Sequence, residues 1–196
     1  MTTIERHNWF ITYSGKQFNL KNINADDICL EDIAHHLTNI NRYGGAMKLG
    51  VKYSVAQHSI LLCEYARDEL NMPELARELL MHDATEAYLG DIVKGLKNLL
   101  PEYERLETNL SIIIRDKYSI PYSPFRAFWA SLLDRRILLN ESKRFTPNHY
   151  ELFKETLPGY EPILATPKNQ LFLGIDLSWF IKRKFLQLCK EFDIKD

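Results

Sequence analysis

The chain has 196 residues, with 25 Lys or Arg against 26 Asp or Glu, a formal net charge of -1. That balance excludes the basic excess on which broad, non-specific nucleic-acid binding depends, and 45% hydrophobic residues supply a packed core rather than a disordered chain. Cys29, Cys63 and Cys189 form no CxxC pair and no even-numbered framework, so they are read as reduced thiols of a cytoplasmic protein. The opening MTTIERHNWF lacks the apolar run of a signal peptide. No stretch approaches the roughly 18 apolar residues of a membrane helix, so neither export nor a membrane span is expected.

In chain order, residues 10–20 (FITYSGKQFNL) alternate around Ser14-Gly15-Lys16 and suggest a short hairpin. Asp26-Asp27 are placed to cap a helix running through CLEDIAHHLTNINRY to a stop at Gly44-Gly45. A second helix is expected over Ser54 to about Leu70 and a third near 74–89, opened by Pro73 and stopped by Gly90. Further helical patterns cover roughly 101–118 and 124–143. Pro147, Pro158, Pro162 and Pro167 make 146–170 an expected extended, looping segment. A last amphipathic helix, about 176–193, carries Trp179, Phe180, Phe185 and Leu188 as core or subunit-contact residues, with core preferred. With no repeat or Gly/Ser linker, the expectation is one all-α domain over 1–196. Its core is about 25–145, and a C-terminal loop and helix occupy 146–196.

The informative feature is where acidic and imidazole groups fall. Leu75, Leu79, His82, Asp83 and Glu86 share one face of the third helical pattern. His58 shares a face with Leu61, Leu62 and Tyr65, and Asp134 sits in a stripe of Ala127, Ala130, Ile137, Leu138 and Glu141. The apolar members must point inward, and they carry the charged members with them. Buried charge needs a partner, and one divalent cation satisfies two imidazoles and two carboxylates at once. Such a mixed N/O set suits Mn, Co, Fe, Zn or Mg, and no nearby thiolate biases it towards a structural zinc site. Taken singly, His58 also reads as a hydrogen-bonded core histidine, and Asp134 beside Arg135-Arg136 as a surface ion pair.

YSVAQHS (Tyr53–Ser59), LLMHDATEAYLGDI (Leu79–Ile92) and the later Asp134 resemble the HD-domain metal-dependent phosphohydrolases. The similarity covers roughly residues 10–145 and points to the small nucleotidase branch, which holds bacterial 5′-deoxynucleotidases and phage dATP triphosphohydrolases. The resemblance implies an HD-type helical bundle with His58, His82, Asp83 and Asp134 as ligands of one divalent metal ion. It also implies Glu86 and Asp91 as catalytic acids, and Arg42, Tyr43, Lys94 and Lys97 as substrate-binding residues. A homo-oligomer is implied by the same likeness. Two departures touch the nucleotide pocket. No His follows Gly44 in Arg42-Tyr43-Gly44-Gly45-Ala46, and no Pro follows the Gly-Asp of GDIVKGLK.

On this basis the metal polarises a phosphate oxygen and makes water a nucleophile near neutral pH. Glu86 handles the water's proton, and Asp91 the leaving 5′-oxygen. Arg42, Lys48, Lys52, Lys94 and Lys97 flank the motifs, and five cations suit a polyphosphate. The expectation is therefore a dNTP triphosphohydrolase releasing deoxynucleoside and triphosphate, with a 5′-deoxynucleotidase as the alternative. Tyr43 is a base-stacking candidate. A non-catalytic nucleotide sensor, a single-strand nuclease and a signalling-nucleotide hydrolase are the competing classes. A second metal would have to call on His35 or His36, and these are read instead as a packed or metal-supporting histidine and its solvent-facing neighbour, respectively.

Overall fold

The computed structural model describes residues 8–48, 50, 52–163 and 177–196, without the side chains of 147 and 148. The start of the chain and Pro167 lie outside the described residues. The expected hairpin forms: β1 (Trp9–Ile11) pairs antiparallel with β2 (Gln17–Asn19), Phe10 opposite Phe18. Everything else described as regular structure is helical: α1 (Leu30–Asn39), α2 (Val55–Asp68), α3 (Pro73–Met81), α4 (Glu86–Leu89), α5 (Lys94–Lys97), α6 (Pro101–Lys117), α7 (Pro124–Phe145), α8 (Pro147–Thr156) and α9 (Ser178–Glu191). The fold is mainly α, as expected. None of the described helices is long and apolar enough to cross a membrane.

Helix α2 is set by a capping box. The Ser54 side chain accepts from the Gln57 backbone N–H, and the Gln57 side chain accepts from that of Ser54 at 2.8 Å. Helix α2 packs on α3 and α9, α1 on α4 and α9, and α7 on α3 and α8. Leu37, Leu62, Leu75, Leu79, Leu110, Leu133 and Phe185 are fully shielded between them. At about 25 cal/mol per Å² of apolar surface removed from water, this shared core is what holds the helices at fixed angles.

Several boundaries differ from expectation. Asp26 and Asp27 do not cap α1. They lie in a separate 3₁₀ turn closed by the Asn24 side chain, which accepts from the Asp26 N–H. Helix α1 starts at Leu30 and stops at Ile40, well before Gly44-Gly45, because a return strand of chain takes over. The Val55 N–H donates to Ile40 O, and the Arg42 N–H to Tyr53 O, both at 3.0 Å. The expected 74–89 helix is broken across His82–Thr85 into α3 and α4. Through the break, Ala84, Glu86 and Ala87 bond three residues back rather than four. The His82 Nδ1 faces the Leu79 carbonyl at 2.6 Å, the acceptor that a continuous α-helix assigns to Asp83. Gly90, at φ 79°, ends α4 as expected and returns its N–H to Glu86 O.

The segment expected to be extended over 146–170 is helical in its first part, because Pro147 sits at the first helical position, where proline costs nothing. Residues 161–163 have no regular structure and are tied along α7: Arg136 Nε donates to Glu161 O and Asn140 Nδ2 to Ile163 O. On α9, Phe185 and Leu188 are core, whereas Trp179 (61% exposed) and Phe180 (52%) are not. The buried stripe of that helix runs Ile181, Phe185, Leu188, Cys189, and positions 179 and 180 fall off its face.

Candidate metal centre

Three helices deliver the charged groups to one point. His58 is completely buried on α2. Its Nδ1 faces Glu141 Oε1 at 2.7 Å, and its Nε2 faces His82 Nε2 at 3.3 Å, Asp134 Oδ1 at 3.2 Å and Asp83 Oδ2 at 3.7 Å. The His82 Nε2 is in turn 3.2 Å from Asp83 Oδ2. In both rings Nδ1 faces an oxygen acceptor, so a neutral ring keeps its proton there and turns the Nε2 lone pair inward. The ligand atoms of His58, His82 and Asp134 lie within 4.8 Å of one another, and Asp83 reaches both imidazoles. The four residues flagged on separate helical stripes are therefore neighbours.

The charge inventory fits a divalent cation. Arg42 sits among the carboxylates, with Nη1 3.6 Å from Asp83, Nη2 3.9 Å from Asp134 and Nε 3.2 Å from Glu141. With both imidazoles neutral, as metal ligation requires, one guanidinium against three carboxylates leaves two negative charges in the cluster, the charge that an ion such as Mn²⁺ or Zn²⁺ supplies. Local titration points the same way. Burial disfavours the imidazolium of His82, yet Asp83 and Asp134 outweigh it and push its pKa up to about 9. Asp83, despite its burial, is held well below the usual carboxylate range, chiefly by His82. Two inward Nε2 atoms 3.3 Å apart repel unless positive charge lies between them, and this surrounding stabilises positive charge.

Glu86 opens α4 one turn beyond the break and is 7% exposed. Burial first, then the charges of Asp83 and Asp91, raise its carboxyl to about 9, and its Oε2 is buried with no hydrogen-bond partner. Asp91 is half-buried just past Gly90. Its pKa is also raised, by burial against the opposing pull of Arg42. A cleft of about 580 Å³ borders the cluster on the α6 side, lined by His82, Asp83, Glu86, Lys97, Glu107 and Tyr122 among others. A second, of about 460 Å³, reaches Glu86 from the hairpin side past Tyr13, His36 and Gly90.

The substrate candidates divide. Arg42 and Tyr43 are at the cluster itself: Tyr43 Oη donates to Glu141 Oε2 at 2.8 Å. Its backbone is left-handed at φ 61°, a conformation that a bulky side chain adopts only when its surroundings enforce it. Lys97 donates to Glu107 at 2.7 Å and stands 3.8 Å from Glu86. Lys94 is exposed at the start of α5. Sequence reasoning placed Glu141 on the Asp134 stripe without assigning it a role. Its seven-residue offset from Asp134, two turns along the same face, was the available signal. His36 is not solvent-facing: its Nδ1 bonds Ala87 O and its Nε2 accepts the Tyr13 N–H at 3.2 Å, tying the hairpin to α4. His35 stacks on Tyr13 with ring centroids 3.6 Å apart. Both lie on the hairpin side, engaged in packing.

Over 110 residues the chain is 49% identical to "Uncharacterized protein YfdR" of Escherichia coli (strain K12), covering 56% of this chain and 58% of that protein. It is 34% identical over 116 residues to "Uncharacterized protein RCAP_rcc00048" of Rhodobacter capsulatus, covering 58% and 59%. The chain thus spans less than two thirds of the length of the curated relatives it matches. Residues 49–119 match the HD domain family model, a stretch that includes His58, His82, Asp83 and Glu86 but not Asp134.

Proposed function

We propose that the chain is a metal-dependent phosphohydrolase of deoxynucleotides, with His58, His82, Asp83 and Asp134 as the metal ligands. The observation that carries this reading is the meeting of two imidazole Nε2 atoms and the Asp134 carboxylate within 4.8 Å, beside a buried Glu86 oxygen that has no partner. A divalent cation held there supplies Lewis-acid charge at the phosphoryl group and acidifies water.

The protein's own groups then do the following. Arg42 offers a planar fork to a phosphate oxygen, released from the carboxylates as positive charge is added to the cluster. Near neutral pH Glu86 holds a proton, so it meets the substrate side as a donor. A cation bound beside Asp83 would lower the pKa of Glu86 and make the Glu86 carboxylate an acceptor for a proton of the attacking water. Asp91, half-buried just past Gly90, relays the proton released by the attacking water to the 5′-oxygen as the O5′–P bond breaks and the new P–O bond forms. Tyr43 presents its ring to the base, held by its hydroxyl bond to Glu141.

Between the two nucleotide readings, the geometry supports the monophosphate one. The triphosphate expectation rested on five flanking cations. Of these, Lys97 is engaged by Glu107 and Glu86, while Lys48 and Lys94 are exposed side chains. The larger cleft sets Asp83, Glu107 and Asp116 beside Lys97 and Arg115, so its cations are already matched by carboxylates. The test is chromatography of products from metal-supplemented protein offered each dNMP and dNTP. Deoxynucleoside plus orthophosphate from monophosphates is the expected result. Deoxynucleoside plus triphosphate from dNTPs would reinstate the first expectation, and no turnover of either would favour a sensor.

A further inference from the structure

Glu141 is the most heavily engaged carboxylate of the site and touches none of its open space. It is 2% exposed, and its two oxygens face different arms of the site. Oε1 meets His58 Nδ1 at 2.7 Å and accepts from Tyr53 Oη at 2.7 Å. Oε2 accepts from Tyr43 Oη at 2.8 Å and Arg42 Nε at 3.2 Å. Tyr53 is itself buried and stacked on Phe145, so this end of the network cannot swing away. Glu141 is the nearer acceptor, 2.7 Å from Nδ1 against 3.2 Å from Nε2 to Asp134 Oδ1, and so favours the proton on Nδ1. With Nδ1–H committed to Glu141, Nε2 is left as the inward lone pair. The same group holds the Arg42–Tyr43 corner, where the backbone is in the left-handed region at Tyr43 and Gly44.

We infer that Glu141 is a positioning residue that orients His58 for metal ligation and, through its other oxygen, ties the Arg42–Tyr43 substrate arm to the same point. This rests on the metal reading of the preceding section. It adds that ligand geometry and substrate arm share one anchor and are lost together.

The test has two parts. Selective ¹⁵N-histidine NMR of the wild-type protein without metal, at a pH where the ring is neutral, is expected to show His58 as the Nδ1–H tautomer. An Nε2–H tautomer would overturn the inference without involving any variant. Calorimetric titration with Co²⁺ then compares wild type with Glu141→Gln, which keeps the side-chain shape but removes the charge. Co²⁺ affinity is expected to fall by about 10- to 100-fold, with the KM for nucleotide rising in parallel. Equal Co²⁺ affinity in a folded Gln variant would overturn it. A wild type that binds no Co²⁺ but shows the Nδ1–H tautomer would sink the metal reading and leave the Glu141–His58 geometry standing, so the two failures are distinguishable. Should the Gln variant not fold, the wild-type tautomer decides.

Discussion

The ligand cluster and Lys94, in the segment just beyond it, carry their charges in opposite ways. In the cluster the anchoring groups lie on long, packed helices. His58 is on α2, Asp134 and Glu141 are on α7, and each charge is met by several others at 2.7–3.9 Å. In the segment, α5 is only four residues long, Val93, Leu96 and Leu99 are exposed, and Lys94 reaches into solvent. The first arrangement holds a geometry that chemistry needs to within a fraction of an ångström. The second offers charge to something that arrives.

Substitutions on the two sides should therefore differ in kind. Glu86→Gln, in the cluster, is expected to lower kcat by about 10²- to 10⁴-fold while metal content, read by atomic emission, stays at the wild-type level. Full activity in this variant would remove Glu86 from the chemistry.

The same residue governs a stability effect of intermediate size. The folded-state pKa of Glu86, about 9, lies above its unfolded value, so its contribution is fully present below about pH 4.5 and is lost as pH rises through 9. His82, also pushed up to about 9, adds a loss of the same sign between pH 6.5 and 9. With chelator present, stability in urea should fall across this window, by at most about 1.4 kcal/mol per pH unit for each group. Glu86→Gln should abolish the part below pH 6.5. A profile unchanged by that substitution would mean that Glu86 titrates normally.

The smallest effect belongs to the exposed segment. Lys94→Ala should change KM by about threefold or less and leave kcat and metal content alone, as expected of a solvated charge near a substrate anion. A 100-fold loss would erase the contrast between the two regions and return weight to the polyphosphate reading.

The parts of the fold and site that were legible in the sequence have local causes. Ser54 and Gln57 name the start of α2 by satisfying each other's backbone groups, and Gly90 names a stop by its positive φ. The inward faces of His58, His82 and Asp134 follow from the apolar residues that share their stripes. The early end of α1 follows from pairing with residues 53–55, fourteen or so positions away, which no window over LEDIAHHLTNINRY contains. The break at His82–Thr85 is equally invisible in the sequence, because the one-face spacing of Leu75, Leu79, His82 and Glu86 reads as one helix whether or not the backbone tightens.

Residue types, their spacing and their inward phase were thus enough to name the charged groups that must find partners, because burying an ionised group alone is too costly on any fold. Which partners they find was decided by tertiary structure. Only the packing of α7 against α2 and the end of α3 brings the Glu141 oxygens to His58, Tyr53, Tyr43 and Arg42, and only the approach of α6 turns Lys97 from a free cation into the partner of Glu107. Hydrogen bonds and ion pairs act over about 3 Å, and sequence separations of 83 to 99 residues carry no information at that range until the chain is folded.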